Sequence, residues 1–330
     1  MTTPPSDDGV TEGVGRTALL VAAGRAIETH RADSLAQDPY AEHLVRAAPD
    51  SVHWPIRIED VPDGDANPLW GRLGRYFGLR TRVIDDFLLS AAARRAGGQV
   101  VQLGAGLDTR PFRLDWPAGT TLFEIDREHV LSFKHTVLDR LGARTTAPLR
   151  SIAADLRDDW SSALLDAGFA PDRPSVWLAE GLLLYLPAEA ERQLIDTVDR
   201  LTVGDGELFY EIKLHESAEI RADPLYAVAR QEFGIDLLGL FDTEPRRPST
   251  ATLAERGWST QVRTSHHFTL EYGAGPPRAR PDALSSNRWV FADRVRATTT
   301  PTETPTAPAT RLRGDPPRTR PSDLLLDGVE

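Results

Sequence analysis

Cysteine is absent from the 330 residues, which excludes disulfides, thiolate metal sites and a cysteine nucleophile. No apolar run approaches the ~20 residues that a bilayer-spanning helix needs. Nothing at the start resembles a signal peptide, since residues 1–15 are polar with acids at Asp7, Asp8 and Glu12. Surplus positive charge is missing too. A formal net charge of −11 argues against a nucleic-acid backbone or an anionic membrane as the main partner. What remains is the composition of a folded, soluble chain, 40% apolar and 26% charged. The expectation is a cytoplasmic protein with a small-molecule partner, long enough for one large α/β domain with additions or two ordinary ones.

The most informative stretch is Gln99-Val-Val-Gln-Leu-Gly-Ala-Gly-Leu-Asp-Thr-Arg110. Val100–Leu103 reads as a buried strand that stops at Gly104-Ala105-Gly106. Two glycines one residue apart let the chain turn tightly and let a ligand approach bare backbone. The segment beyond them can open a helix whose free N–H groups favour electron-rich ligand atoms. Alone, a GxG is a weak signal, equally at home in a ligand-free turn.

Its neighbours add weight. Before it, Thr17–Glu28 has the wide apolar face of a helix and Tyr40–Ala47 resumes one. Residues 49–68, with four prolines, form an irregular connection, and a helix from Leu79 to Ala96 closes at Gly97-Gly98. After it, strands at Thr120–Ile125, Arg150–Ala154, Ser175–Ala179 and Glu207–Ile212 alternate with helices at Arg127–Leu141 and from Pro187 to Leu201. Trp258–Arg263 and Arg288–Ala292 supply two last strands as a hairpin-like pair. Such alternation implies an open, largely parallel sheet with helices on both faces. No internal repeat is visible, and residues 1–12 and 297–330 read as disordered tails.

In a doubly wound sheet, ligands sit beyond the carboxyl ends of the strands. Asp126, Asp155 and Glu180 each fall where a predicted strand ends, as does the glycine turn. Asp126 stands about twenty residues past the GxG, where an acid holds a ribose hydroxyl pair; Glu124 is its competitor, and capping the next helix is its plain alternative. Asp155 alone would pass as a solvated turn acid. A dinucleotide fingerprint needs G-x-G-x-x-G, but the fifth position is Asp108 and the sixth Thr109. A carboxylate beside the turn suits a cationic ligand without phosphate. S-adenosylmethionine is one, and its single carboxylate needs a cation such as Arg80 or Arg82.

The runs Val101–Arg110, Phe123–Asp126, Asp155-Leu156-Arg157 and Trp177–Pro187 together resemble the leucine carboxyl methyltransferase-like family. The resemblance covers roughly residues 12–293. It is closest to the bacterial branch of S-adenosylmethionine-dependent methyltransferases, which includes polyketide carboxyl O-methyltransferases. It implies a Rossmann-like class I methyltransferase sheet, mostly parallel, in residues 79–296, with an N-terminal helical cap or lid in 13–78. It places Arg80 on the methionine carboxylate, and Gly104, Ala105 and Gly106 against the methionine. Asp126 falls on the ribose, Asp155 and Leu156 on the adenine, Glu180 near the amino group or sulfonium, and Tyr185 near the transferred methyl. The acceptor does not carry over.

A carboxylate acceptor needs no general base; a phenol or alcohol does, and His215 is the candidate. His266 and His267, adjacent on a strand, would point to opposite faces and make a poor metal site. The irregular stretch 49–78, with Trp54, Trp70, Tyr76 and Phe77, is expected to recognise the acceptor alongside Thr17–Glu28 and residues 215–245. Two other readings compete: a nicotinamide-dependent oxidoreductase on the same sheet, disfavoured by the missing third glycine, and a ligand-binding protein without turnover.

Overall fold

The computed structural model describes residues 14–95, 98–214 and 217–294. Helices α1 (Val14–Thr29), α2 (Ala41–Ala47) and α3 (Trp70–Arg94) come first, joined across residues 48–69 by irregular chain with two short 3-10 turns. Then follow β1 (Gln99–Leu103), α4 (Arg110–Arg113), β2 (Thr121–Asp126), α5 (Glu128–Arg140), β3 (Leu149–Ala153), α6 (Trp160–Asp166) and β4 (Ser175–Ala179). The chain continues through α7 (Ala188–Leu201) and β5 (Gly206–Lys213). Short helices α8 (Ala218–Arg221), α9 (Pro224–Phe233), α10 (Leu237–Leu240) and α11 (Ser249–Glu255) lead to β6 (Ser259–Arg263), α12 (Ser265–Tyr272) and β7 (Asn287–Arg294).

The strands form one sheet in the order β3-β2-β1-β4-β5-β7-β6, a mostly parallel α/β sheet as expected. The first five are mutually parallel; β7 runs antiparallel to both β5 and β6. The last two strands therefore pair as expected, but α12 intervenes between them, and β7 rather than β6 joins the parallel sheet. The order in which strands are added reverses at β1, so the switch point lies between β1 and β4. That is where an open α/β sheet leaves a crevice for ligand.

Side-chain alternation builds a core on each face. Val100, Leu122, Val176, Leu178 and Phe209 pack beneath α1 and α3, whereas Val101, Phe123, Trp177, Leu208 and Tyr210 pack against α6 and α7. Glu124 is fully buried within this framework. It accepts from Lys134 Nζ at 2.5 Å, from His135 Nε2 at 2.6 Å and from Ser151 Oγ at 2.7 Å, tying β2 to α5 and β3. Burial would raise its pKa, but the Lys134 ammonium and these hydrogen bonds outweigh that and hold it at about 2.

Three expectations need correction. Helix α3 begins at Trp70, not Leu79, so Trp70, Tyr76 and Phe77 are helical rather than loop residues. Its glycines, which look like breakers, sit where other backbone and side chains press in. A Cβ at Gly71 would lie 2.5 Å from the Asp65 carbonyl oxygen, and one at Gly78 would lie 2.3 Å from Glu28 Cγ. Second, the glycine turn leads only into the four-residue α4, too short to present a helix N-terminus to a ligand. Third, His266 and His267 lie in helix α12, where His266 Nε2 meets Asp282 Oδ2 at 3.2 Å.

Candidate functional site

The carboxyl ends of β1 to β5 open into a cavity of about 370 Å³, within the ~300–1,000 Å³ range of small-molecule sites. Its floor is the glycine turn. Gly104 and Gly106 have φ of +66° and +48°, a left-handed conformation that glycine adopts without strain. A Cβ on Gly104 would also come 3.1 Å from Leu182. The turn is anchored from three sides. Gly104 N and Ala105 N both donate to the Ile125 carbonyl, Gly106 N donates to Asp126 Oδ2 at 2.7 Å, and Arg25 Nη2 of α1 donates to the Leu107 carbonyl at 2.7 Å.

Above this floor a chain of ion pairs crosses the strand ends. Arg80, buried on α3, reaches Glu211 Oε2 with Nη1 and Glu180 Oε1 with Nη2, each at 2.9 Å. Arg110 holds the other Glu180 oxygen at 2.6 Å and is itself gripped by Asp85 at 2.6 Å and by Asp108. Burial would raise the Glu180 pKa, but the guanidiniums of Arg110 and Arg80 hold it well below the usual carboxylate range. Glu211 Oε2 also accepts from Gly181 N at 2.6 Å, so β4 and β5 are stitched together at their ends. Its other oxygen accepts from Trp289 Nε1 at 3.0 Å and from the Tyr76 hydroxyl at 3.2 Å.

Most sequence-designated residues meet around this cavity. Arg80, Gly104, Ala105, Gly106, Asp126, Asp155, Leu156, Glu180 and Tyr185 all line it. Asp126 is separated from its competitor: Glu124 is consumed by Lys134 and His135, whereas Asp126 faces the cavity. Nor does Asp126 cap α5, whose N-cap residue is Arg127. Asp155 is clasped by Arg157, with Nη2 to Oδ2 at 2.5 Å, which lowers its pKa. Tyr185 stacks on Phe241, ring centroids 5.8 Å apart at 20°. Burial pushes the Tyr185 hydroxyl up to about 12. Arg82, by contrast, pairs with Asp86 at 2.8 Å and is not part of the cavity wall. His215 lies outside the described residues.

The aromatic expectations divide. Tyr76 and Phe77 line the cavity; Trp54 and Trp70 instead pack on Phe233, at 5.5 and 5.0 Å between centroids. Sequence reading missed Arg110, Glu211 and Lys213. Glu211 carried a usable signal, being an acid on a strand whose neighbours Phe209 and Tyr210 are wholly apolar in setting.

A backbone-exposing turn and a row of acids beyond a 3-2-1-4-5-7-6 sheet define an S-adenosylmethionine-dependent methyltransferase. The family described as leucine carboxyl methyltransferase matches residues 18–199, and the chain belongs to that family. Relatives named "Putative S-adenosyl-L-methionine-dependent methyltransferase" agree. One from Streptomyces coelicolor is 57% identical over 88% of this chain and 96% of its own length. Others come from Saccharopolyspora erythraea, 47% identical over 76% of this chain and 84% of its own, and from Mycolicibacterium gilvum, 42% identical over 80% and 89%.

Proposed function

We propose that this enzyme methylates a carboxylate of a small-molecule acceptor. The observation that carries this reading is the state of the acids and bases around the cavity. Among the described residues no histidine lines it. Glu180 and Glu211 are committed to arginines, and Tyr185 holds its proton until about pH 12. None of these described groups is therefore poised to deprotonate an alcohol or phenol. A carboxylate arrives already ionised.

The residues present fit the methyl donor. Arg80 Nε is a buried polar atom without a hydrogen-bond partner, so the site keeps unspent donor capacity. Asp126 and the Gly104–Gly106 floor suit the ribose and methionine, and Asp155 with Leu156 suits the adenine edge. Arg80 suits the methionine carboxylate, exchanging one of its two acids for it, while Glu180 faces the ammonium and sulfonium. When bound, S-adenosylmethionine would supply a methyl activated by its sulfonium; a carboxylate oxygen can take it in line without losing a proton, the C–O bond forming as the C–S bond breaks and neutral S-adenosylhomocysteine leaves. The protein's own work is to orient the partners and to exclude water. Helices α1, α9 and α10 do the latter, contributing Leu20, Leu225 and Leu237 to the wall.

The test is chemical. The full chain is incubated with methyl-labelled S-adenosylmethionine and a panel of carboxylic acids and phenols. Methyl esters release labelled methanol in mild alkali and aryl ethers do not. Alkali-labile product is expected; alkali-stable label alone overturns the reading.

A further inference from the structure

We infer that the acceptor is an acid with an apolar body, and that this body lies against a preformed wall built by α3, α9, α10 and the turn before β7. The inference rests on the function proposed above and names the class of its substrate. The cavity has two ends. Asp126 and Asp155 mark the β2 and β3 side, where the donor's nucleoside fits, and Glu211 and Asn287 mark the β5 and β7 side. Three strand spacings, ~14 Å, separate β2 from β5, so the second end is left for the acceptor.

That end is walled with carbon. Leu73 and Phe77 of α3, Leu225 of α9, Leu237 of α10, and Ala283 and Leu284 of the turn Ala283–Ser286 all line the cavity. The polar side chains nearby are bonded to one another. The Tyr76 hydroxyl donates to Glu211 and accepts from Asn287 Nδ2 at 3.1 Å; Glu211 holds Arg80 and Gly181 N; Lys213 donates to Ser286 and Asn287. A polar group pressed against such a wall loses its water without compensation, whereas a methylene gains ~4-fold in affinity when fully buried.

Distant stretches of chain build the wall, and one buried carboxylate joins three of them. Asp223 caps α9 by accepting from Leu225 N at 2.9 Å. Its other oxygen accepts from Arg72 Nη1 of α3 at 2.8 Å and from Ala283 N at 2.7 Å, and Arg72 Nη2 reaches on to Asp282 at 2.7 Å. The anchors stand beside the side chains they present: Arg72 next to Leu73, Asp223 just before Leu225, and Asp282 just before Ala283 and Leu284. Arg72 and Asp223 are both buried, so parting them would strand a charge in the interior. The wall is therefore fixed before the acceptor arrives. Little ordering is then needed on binding, and selection follows from apolar contact rather than from adaptable polar groups.

The experiment uses the full chain loaded with S-adenosylhomocysteine and titrated calorimetrically with the n-alkanoates from butanoate to octanoate and with 6-hydroxyhexanoate. Affinity should rise ~3- to 4-fold per methylene. Heptanoate should bind at least ~10-fold more tightly than its isostere 6-hydroxyhexanoate, whose hydroxyl would be buried without a partner. Leu237→Ser should cut octanoate affinity ~5-fold or more while S-adenosylhomocysteine affinity stays within twofold, and Leu237→Met should keep most of it. A flat series, equal affinity for heptanoate and 6-hydroxyhexanoate, undiminished octanoate binding in Leu237→Ser, or a matching loss of S-adenosylhomocysteine affinity overturns the inference. The wild-type series stands without any variant having to fold, and none of these readouts involves transfer. Alkali-stable methylation with the chain-length series intact would sink carboxyl methylation and leave the apolar wall; ester formation with a flat series would do the reverse.

Discussion

Asp126 joins two tasks in one side chain: Oδ2 fixes the Gly106 amide and the carboxylate faces the cavity. Asp126→Ala removes both, and S-adenosylhomocysteine affinity by calorimetry should fall ~10-fold or more, the scale of a hydrogen bond to a charged group. Asp126→Asn can keep an acceptor for Gly106 N and should lose less. Undiminished binding in the alanine variant would remove Asp126 from the site. Glu180 and Tyr185 make a second prediction. One ionises far below neutrality and the other near pH 12, so neither changes charge between about pH 5 and 9. With a carboxylate acceptor, kcat should be flat across that window, and a limb rising with pH through neutrality would betray a base. Asp126 and Glu180 were legible in the sequence because each ends a recognisable apolar run. Arg110 was not, since its importance comes from where the short α4 puts it, between Asp85, Asp108 and Glu180, rather than from any local pattern.

At the scale of elements, the seam between α1 and α3 decides how the cap sits. Gly74 and Gly78 mark it on α3, facing Ile27 and Glu28, and Gly24 on α1 lies where a Cβ would come 2.5 Å from Phe77. Gly71, at the start of α3, packs instead on the backbone of Gly64 and Asp65, and Gly71→Ala should test that contact well, because backbone yields less readily than a side-chain tip. Helix propensity alone would favour alanine by ~1 kcal/mol. Overpacking costs ~1–3 kcal/mol, so urea denaturation should show a net loss of stability. The sequence hid the start of α3 for the same reason: its glycines satisfy packing against α1 and against residues 64–65 at the expense of a local helix signal. Helix α6 was also invisible, being seven residues long, although Asp159 caps it by accepting from Ser161 N and Ser162 N. Strand β4 was legible to the residue and β1 to within one, as short, mostly apolar runs bounded by glycine, proline or acid.

Helix α5 gives a pH prediction. The Glu124 pKa is about 2 in the folded chain against an ordinary 4.5. A depressed carboxylate stabilises the fold above the unfolded value and loses that contribution as pH falls through the folded one. Glu124→Gln should therefore cost stability at pH 7, where it strands the Lys134 ammonium. The gap to wild type, read by denaturation, should narrow between pH 4.5 and 2. A constant gap would mean the ion pair contributes nothing of its own.

For the molecule as a whole, ligand and fold are linked. Saturation with S-adenosylhomocysteine at ~100 times Kd should add ~2.7 kcal/mol, and a thermal melt should rise by several degrees, while NAD leaves it unchanged. A response to NAD instead would revive the oxidoreductase alternative. The sheet order itself followed from the alternation of strands and helices only as far as "mostly parallel"; the insertion of β7 between β5 and β6 rests on long-range pairing that no local run encodes.

The antiparallel course of β7 also fixes how this enzyme can be handled. Asn287 borders the cavity and Arg294 pairs with Gly206, so the strand carries the chain to the pole of the sheet farthest from the mouth. Gly15 and Thr17, in the first turn of α1, stand on the rim. Anchored to a bead or sensor chip through a side chain beside Arg294, the protein should offer its entrance freely to solution. An anchor beside Gly15 would hold that entrance against the support.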